Sequence, residues 1–338
     1  MTVLSWDRDA VSPGLEYRDG YQVRRWRFKA PLGPKVLLYL PVWWCFEFLW
    51  LMSNRWDIVH AVDLDTVPPA ILAAKIKRKP VVYELADIYE DMTPLPLLLR
   101  KICMSIDRIF MRQASAMVLV NELGGIPNNN TVVIYNSPPD LFKKLDTPIS
   151  TTFIIFYAGM LHRSRRANLD RVAMAVRNME NTRLVIAGYG EQVEEIKKWA
   201  DETPGKVEFI GQISYTEALE RTLRANLLFA LYEPYGLTVK YASANKLFEA
   251  MMCRKPVLVS RGTDMADVVE RENCGLVVDC SNTEEIREAI EKLKGNPELC
   301  RELGANGRRA YEQRYSWEIM EQRLLSLYQQ VSCDRPGN

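Results

Sequence analysis

Residues 182–211, "TRLVIAGYGEQVEEIKKWADETPGKVEFIG", show the pattern that predicts the fold of this chain. Two short apolar runs that include β-branched residues, 184–187 and 207–210, stand on either side of a charged segment with helical spacing, 191–202. Short apolar runs that alternate with helical segments are typical of buried parallel strands whose sheet is covered by helices on both faces.

The same alternation continues before and after this stretch. Further strand-like runs lie at 152–159, 226–232, 256–262 and 275–279, and further helical patterns lie at 168–179, 214–225, 245–252, 265–272 and 283–293. The C-terminal half is therefore predicted to be a doubly wound α/β domain. Its ligands are expected at the carboxyl ends of the strands, where loops meet helix N-termini.

The N-terminal half repeats this theme less regularly. Strand-like runs lie at 2–6, 21–28, 56–62, 80–87, 116–120 and 131–136, and helical segments lie at 42–54, 67–76 and 95–113. Prolines and charges at 137–150 indicate a linker, and Ser316 is a candidate N-cap within a helical tail. We expect one domain at 1–140, a second at 151–315, and a final helix at 316–338 that packs back toward the first.

Composition limits the possible functions. The 338 residues are 48% hydrophobic and 26% charged, as in an ordinary globular protein, and the net charge of +1 gives no reason to expect a nucleic-acid partner. Seven cysteines without a C-x-x-C pair, and only two histidines, favour a reduced, cytoplasmic compartment without structural zinc. Residues 1–10 carry no signal-peptide pattern.

Two motifs look like ligand sites but have a stronger structural interpretation. Gly188 and Gly190 suggest a dinucleotide fingerprint, yet Val193 stands where its third glycine belongs, so a strand-to-helix turn is favoured. Asp63 and Asp65 form a D-x-D that suits a divalent metal, but they precede a helical segment, where acidic residues commonly act as caps.

Two polar segments of the C-terminal half suit an anionic ligand. Arg163, Arg165 and Arg166 precede a predicted helix, where guanidiniums bind anions if they converge and otherwise form a solvated basic loop. Asn245 and Lys246 begin another helix, and Glu249 follows one turn later. Free N–H groups at this helix N-terminus would bind phosphates, while the carboxylate accepts two ribose hydroxyls.

These segments carry a family resemblance. The stretches "FYAGMLHRSRRANLD" (156–170), "SANKLFEAMMCRKPVLVS" (243–260) and "VIYNSPPDLF" (133–142) resemble the retaining glycosyltransferases of family four. The resemblance implies the GT-B fold, in which two Rossmann-like doubly wound domains face each other across a cleft. It also implies transfer of a hexosyl unit from a nucleotide-diphospho sugar, expected to be a UDP-sugar, to a lipid-linked or glycan acceptor.

The resemblance also assigns roles to individual residues. Glu249 binds the donor ribose, Arg165 contacts the diphosphate and Lys246 supplies charge, while Asp87 orients the acceptor. The remaining donor-binding candidates are Gly159, Arg163, Gly190, Tyr241, Ala244 and Asn245. No metal and no cofactor is expected, because cations and a helix N-terminus neutralise the departing diphosphate and the nucleotide sugar is a co-substrate.

Three positions depart from the family pattern. Tyr241 replaces the first motif glutamate, Met160 replaces a cation that often follows the strand glycine, and Ala86 replaces a histidine of the acceptor side. The departures keep two alternatives open: a non-catalytic subunit that retains the fold for binding, and a nucleotide-sugar epimerase on the same fold.

The longest apolar run, 36–52, is shorter than a membrane-spanning helix requires. One predicted helix face, assigned to the core, carries Val42, Cys45, Phe46, Leu49 and Met52. A second face carries Trp43, Glu47, Trp50 and Asn54, which suits a water–lipid boundary. A buried core helix fits equally well, but the cations of 24–35 favour peripheral contact of residues 24–52 with an anionic cytoplasmic membrane surface.

Overall fold

The computed structural model describes residues 1–31, 33–86, 97–122, 128, 130–142, 151–162, 167–233 and 245–333. The chain divides into two compact units. The N-terminal unit comprises residues 1–134 and 323–338, and the C-terminal unit comprises residues 135–322. Half of the predicted site lies outside the described residues, namely Asp87, Arg163, Arg165, Tyr241 and Ala244.

The N-terminal unit contains two sheets. Its strands are β1 (Thr2–Asp7), β2 (Leu15–Arg18), β3 (Tyr21–Arg27), β4 (Val59–Val62), β5 (Val81–Leu85), β6 (Ala116–Leu119) and β7 (Thr131–Val133). Strands β4 to β7 form a parallel sheet in chain order, while β3 pairs in parallel with β1 and antiparallel with β2. The sequence pattern did not predict β2, a short and largely exposed strand at the edge of its sheet.

Helices cover the four-stranded sheet. They are α1 (Leu40–Ser53), which follows a 3-10 turn (Pro34–Leu38), α2 (Val67–Lys77) and α3 (Leu97–Gln113). Helix α2 is built from small and branched apolar residues, and its Ala70, Ala73 and Ala74 pack in the core with Tyr83 and Met117 of the sheet. The end of the chain packs on the same sheet through Leu327 and Val331.

The C-terminal unit is built on one parallel six-stranded sheet. Its strands are β8 (Phe153–Met160), β9 (Thr182–Tyr189), β10 (Val207–Phe209), β11 (Leu227–Ala230), β12 (Val257–Ser260) and β13 (Gly275–Val278). The order β10-β9-β8-β11-β12-β13 reverses direction between β8 and β11, which confirms the doubly wound prediction for this half.

Besides a π-helical turn (Tyr311–Tyr315), eight α-helices follow or flank these strands among the described residues. They are α4 (Leu169–Val176), α5 (Val193–Glu202), α6 (Tyr215–Arg224), α7 (Asn245–Met252), α8 (Asp264–Glu272), α9 (Thr283–Gly295), α10 (Pro297–Ala310) and α11 (Trp317–Cys333), whose residues from 323 onward belong to the N-terminal unit. Capping side chains determine where four of them begin, because Ser214, Thr263, Asn282 and Asn296 each accept a backbone N–H of the first turn.

The linker predicted at 137–150 lies only partly within the described residues. Its first residues are packed against α10: the Tyr311 hydroxyl donates to the Pro138 carbonyl at 2.7 Å, and Arg308 forms a buried pair with Asp140. Prolines and charged residues are common in linkers, but here Pro138 and Asp140 make buried contacts. Residues 143–150 lie outside the described residues. The predicted N-cap at Ser316 is confirmed, since its hydroxyl accepts the Ile319 N–H.

The faces predicted for α1 are also wrong. Trp43 is 3% exposed and stacks on Trp6 of β1 and Trp26 of β3, whereas Leu49, assigned to the core, is 63% exposed. Residues of α1 are apolar all round, so spacing could not select the buried face, and the tryptophans of the neighbouring sheet selected it. Trp43 therefore does not meet a lipid boundary, and no described helix is long and apolar enough to span a membrane.

The basic strand beside α1 is also engaged within the protein. Arg25 pairs with Glu16 at 2.6 Å, and Arg27 donates to the Ala10 carbonyl at 2.7 Å. Both contacts lie within the small sheet and the turn before it, so these two cations serve to hold the edge strand.

Replacing Glu47 with glutamine is expected to stabilise the protein by about 1–3 kcal/mol at pH 7. The Glu47 side chain is buried, its Oε2 has no hydrogen-bond partner among the described residues, and burial, together with nearby Asp65, raises its pKa from 4.5 to about 9. The unfolded chain therefore loses this proton at a lower pH than the folded protein, and stability falls between pH 4.5 and about 9.

Urea unfolding of both proteins from pH 4 to 8 measures this effect. The two curves should coincide below pH 4.5 and separate as pH rises. Glu288→Gln, on the exposed side of α9, is the control. A constant difference between Glu47→Gln and wild type across this range would show that Glu47 does not titrate as described.

Candidate functional site

The sheet of the C-terminal unit reverses its winding between β8 and β11. The chain leaves β8 for β9 on one side, and β11 pairs with β8 on the other. Loops diverge at such a point, and the crevice beyond the carboxyl ends of the two strands is where ligands bind in doubly wound sheets. Gly159 and Met160 end β8 at this edge.

Gly188 and Gly190 hold the chain beyond β8 against the end of β9. A Cβ on Gly188 would lie 1.9 Å from the Gly159 carbonyl oxygen, and a Cβ on Gly190 would lie 2.5 Å from the Leu161 carbonyl oxygen. Both glycines have positive φ, and Leu161 exchanges backbone hydrogen bonds with Tyr189 and Gln192. The structure thus confirms a strand-to-helix turn: these glycines allow two backbones to approach.

The loop after β8 is anchored again where α4 begins. Asn168, in the left-handed conformation, donates from Nδ2 to the carbonyl of Leu231, just beyond β11, at 2.9 Å. This buried contact ties the loop to both strands at the switch point. The arginines predicted to bind an anion fall in 163–166, outside the described residues.

Lys246 brings a cation to the end of β8. Its ammonium lies 4.3 Å from the centre of the Tyr157 ring, and a Cβ added to Gly159 would lie 2.9 Å from Nζ. Glycine at 159 therefore leaves the space that the ammonium occupies. Because Lys246 is on the first turn of α7, its charge adds to the positive end of the helix dipole.

Glu249 lies one turn further along α7. Burial raises the pKa of its carboxyl, while the Lys246 cation and a hydrogen bond with the Tyr215 hydroxyl oppose this shift. Tyr215 is the first residue of α6, which Ser214 caps after β10. Two partners therefore lower the pKa of a carboxyl group that burial raises, and burial is the larger of these effects.

The structure thus brings together Gly159, Lys246 and Glu249, with Asn245 exposed at the start of the same helix. Gly190 is crowded by the backbone of Leu161. Sequence reasoning missed Tyr157 and Tyr215. Their positions, near the end of β8 and at the first turn after β10, are where a doubly wound sheet exposes ligand-binding residues, and that signal was available in the sequence.

Polar residues of β4 and of the turn after it form hydrogen bonds and an ion pair within the N-terminal unit. Asp63 accepts the Ala86 N–H at 2.9 Å and has a positive φ, so its own carbonyl, and not its side chain, accepts the N–H groups of Thr66 and Val67. The capping interpretation of the D-x-D motif is therefore wrong, because a left-handed backbone turns the carboxylate toward the neighbouring strand. His60 lies between Glu84 and Tyr328, at 2.8 and 2.5 Å.

A family model described as glycosyl transferases group 1 matches residues 140–310, just over half of the chain. The chain belongs to this family. The match covers the edge of the sheet at which Gly159, Lys246 and Glu249 lie, and it confirms the resemblance drawn from the sequence.

Two curated relatives of this family are recognisably similar. The lipopolysaccharide core biosynthesis glycosyltransferase LpsD of Rhizobium meliloti is 27% identical over 57% of this chain and 53% of its own length. A GDP-mannose-dependent monoacylated phosphatidylinositol monomannoside mannosyltransferase of Corynebacterium glutamicum is 26% identical over 55% and 49%. The chain thus spans about half the length of these relatives.

Solved structures share this fold. HepE of Anabaena, in complex with UDP-glucose, superposes with a TM-score of 0.66 over 97% of this chain and all of its own, at 18% identity. This likeness confirms the prediction of an α/β fold with two Rossmann-like units. Within that fold, Met160, at the position where the family often has a cation, lies 40% exposed at the end of β8, and the Lys246 ammonium lies beside the preceding residue, Gly159.

Proposed function

We propose that this chain is a retaining, metal-independent glycosyltransferase that uses a UDP-sugar. The observation that carries the proposal is the position of Lys246 and Glu249, a cation and a carboxyl group on one turn of α7, at the switch point of a doubly wound sheet. Membership of the group 1 glycosyl transferases supports a transfer reaction, and the UDP-glucose complex of HepE supports the donor class.

Charge at the helix N-terminus supports a diphosphate leaving group. In this proposal the diphosphate contacts both the Lys246 ammonium, which lies over the Tyr157 ring, and backbone N–H groups of the first turn of α7. Because this cation stands beside Gly159, it supplies the charge that the family usually places at the position of Met160. We include Arg163 and Arg165 in the same role, in place of a metal ion.

The proposed reaction needs no nucleophile from the protein. The acceptor hydroxyl attacks the anomeric carbon from the face that the diphosphate leaves, and the bond between that carbon and the diphosphate oxygen breaks. Its electron pair stays on the diphosphate, whose oxygen takes the hydroxyl proton. Asp87 orients the acceptor, and the protein contributes positioning and stabilisation of the leaving group.

For the acceptor, we propose a lipid-linked or glycan molecule at a membrane surface. LpsD and the mannosyltransferase act, by their names, on lipopolysaccharide core and on an acylated phosphatidylinositol mannoside. The second of these uses GDP-mannose, so the base of the donor is a separate point to measure.

Replacing Glu249 with glutamine is expected to weaken UDP binding by about 10- to 100-fold, because hydrogen bonds to a charged group contribute about 1.5–3 kcal/mol. Glutamine keeps the shape of the side chain but removes the charge that the ribose hydroxyls would contact. Calorimetric titration with UDP, and a thermal-shift panel of UDP-, GDP- and ADP-sugars on wild type, measure affinity and base preference.

Glu220→Gln, on the exposed side of α6, is the matched control and should bind UDP as wild type does. Equal affinity of folded Glu249→Gln and wild type would contradict the donor site. Tight UDP binding by wild type without transfer or slow hydrolysis of any UDP-sugar would assign the chain to the non-catalytic alternative. Conversion of a donor without an acceptor would assign it to the epimerase alternative.

A further inference from the structure

Helix α3 exposes a continuous apolar stripe. Leu98, Ile102, Ile106 and Ile109 follow one another at intervals of four, four and three residues, and their exposed fractions are between 41% and 70%. This spacing places all four side chains on one face of the helix. Large apolar side chains gathered in this way, and not scattered singly, mark an interaction surface.

Cations border this stripe on the same helix. Lys101, Arg108 and Arg112 are exposed and, at 100° per residue, lie along one edge of the stripe. The single acid of the helix, Asp107, is buried and accepts the Tyr83 hydroxyl at 2.6 Å. The exposed side of α3 is therefore apolar and basic, with no carboxylate.

Helix α2 extends this surface. Lys75 Nζ donates to Gln113, the next position of the stripe, at 2.5 Å, and Leu72 and Ile76 on the same side of α2 are more than half exposed. The segments 67–79 and 97–113 contain eight cations and one acid, although the whole chain has a net charge of only +1. Lys77 contacts the Asn54 carbonyl and Lys79 pairs with Asp57, so we assign only Lys75, Lys101, Arg108 and Arg112 to this surface.

We propose that the exposed face of α2 and α3 is the surface by which this protein binds an anionic membrane. Apolar side chains enter the boundary between headgroups and acyl chains, and the cations beside them contact anionic headgroups. This inference gives the membrane contact of the proposed function a location different from 24–52, and it does not require that the protein transfer a sugar.

Sedimentation with vesicles tests the proposal on the full chain without donor or acceptor. Wild type should bind vesicles that contain 30% phosphatidylglycerol and not pure phosphatidylcholine, and binding should weaken at least tenfold between 0.1 and 0.5 M NaCl. The double variant Ile102→Gln/Ile109→Gln, altered only at exposed positions, should bind at least tenfold more weakly. The triple variant Lys101→Gln/Arg108→Gln/Arg112→Gln should do the same, since each cation near the surface contributes about fivefold.

The matched control is Val42→Gln/Leu49→Gln, which changes two exposed apolar residues of α1 in the same unit. It should bind vesicles as wild type does. Failure of wild type to sediment with anionic vesicles at 0.1 M NaCl would overturn the proposal, as would loss of binding only in the α1 variant. Light scattering measures the oligomeric state of wild type and of Ile102→Gln/Ile109→Gln. If wild type is a dimer that does not bind vesicles, and the variant is a monomer, the stripe contacts a second copy of the chain and the membrane proposal is wrong. UDP affinity should be unchanged in every variant, which separates this result from the test of the donor site.

Discussion

Replacing Lys246 with alanine is expected to lower kcat for sugar transfer by about 10²- to 10³-fold, as loss of one donor to a developing oxyanion does. Negative charge on the leaving diphosphate is greatest in the transition state, so KM for the UDP-sugar should rise much less than kcat falls. The structure supports this because the ammonium lies beside Gly159 at the end of β8. Steady-state kinetics on wild type and variant measure the effect.

The control is Lys198→Ala, which removes an exposed cation of α5. It should leave both kinetic constants unchanged. A rise in KM with unchanged kcat in Lys246→Ala would show that Lys246 contributes only to ground-state binding. Loss of wild-type activity on addition of a chelator, with recovery on addition of Mn²⁺, would refute the metal-independent mechanism and return attention to Asp63 and Asp65.

Replacing Arg308 with alanine is expected to destabilise the C-terminal unit by about 3–5 kcal/mol. Arg308 and Asp140 are both buried and share two hydrogen bonds, at 3.1 and 2.5 Å, and the same guanidinium donates to the Met252 carbonyl at the end of α7. Removing the guanidinium leaves the Asp140 carboxylate buried without Arg308, and it leaves the Met252 carbonyl without this hydrogen-bond donor. Urea unfolding followed by circular dichroism measures the loss.

Arg309→Ala is the matched control, because Arg309 is next to Arg308 on the same helix and its side chain is exposed. This variant should change the free energy of unfolding by less than about 0.5 kcal/mol. A loss below about 1 kcal/mol in Arg308→Ala would mean that the pair is replaced by water or by another partner. Arg308 Nε also donates to Glu312 at 2.6 Å, and the variant loses this contact as well.

Most of the C-terminal fold could be predicted from local pattern. The central strands are short apolar runs that are largely buried, and four helices combine an apolar stripe with a capping side chain, so neighbouring residues carry the information. Part of the candidate site could also be predicted from local pattern. Lys246 and Glu249 are one turn apart on a helix that the pattern predicts, and Gly159 ends a predicted strand.

Contacts between distant segments could not be predicted in this way. Tyr215 reaches Glu249 from another helix, and Asp140 meets Arg308 across 168 residues of sequence. No spacing rule links such residues, because their distance depends on how the sheet orders its strands. For the same reason, the composition of 137–150 did not show that Pro138 and Asp140 contact Tyr311 and Arg308.

The sequence by itself determined the alternation of strands and helices, the winding of the C-terminal sheet and the helix turn that carries Lys246 and Glu249. These depend on side-chain periodicity and caps, which are local. Only the tertiary structure decided which face of α1 is buried, since an evenly apolar helix has no preferred face until Trp6 and Trp26 stack on Trp43. It also decided that the exposed apolar surface lies on α3, because burial is a property of packing and not of any single segment.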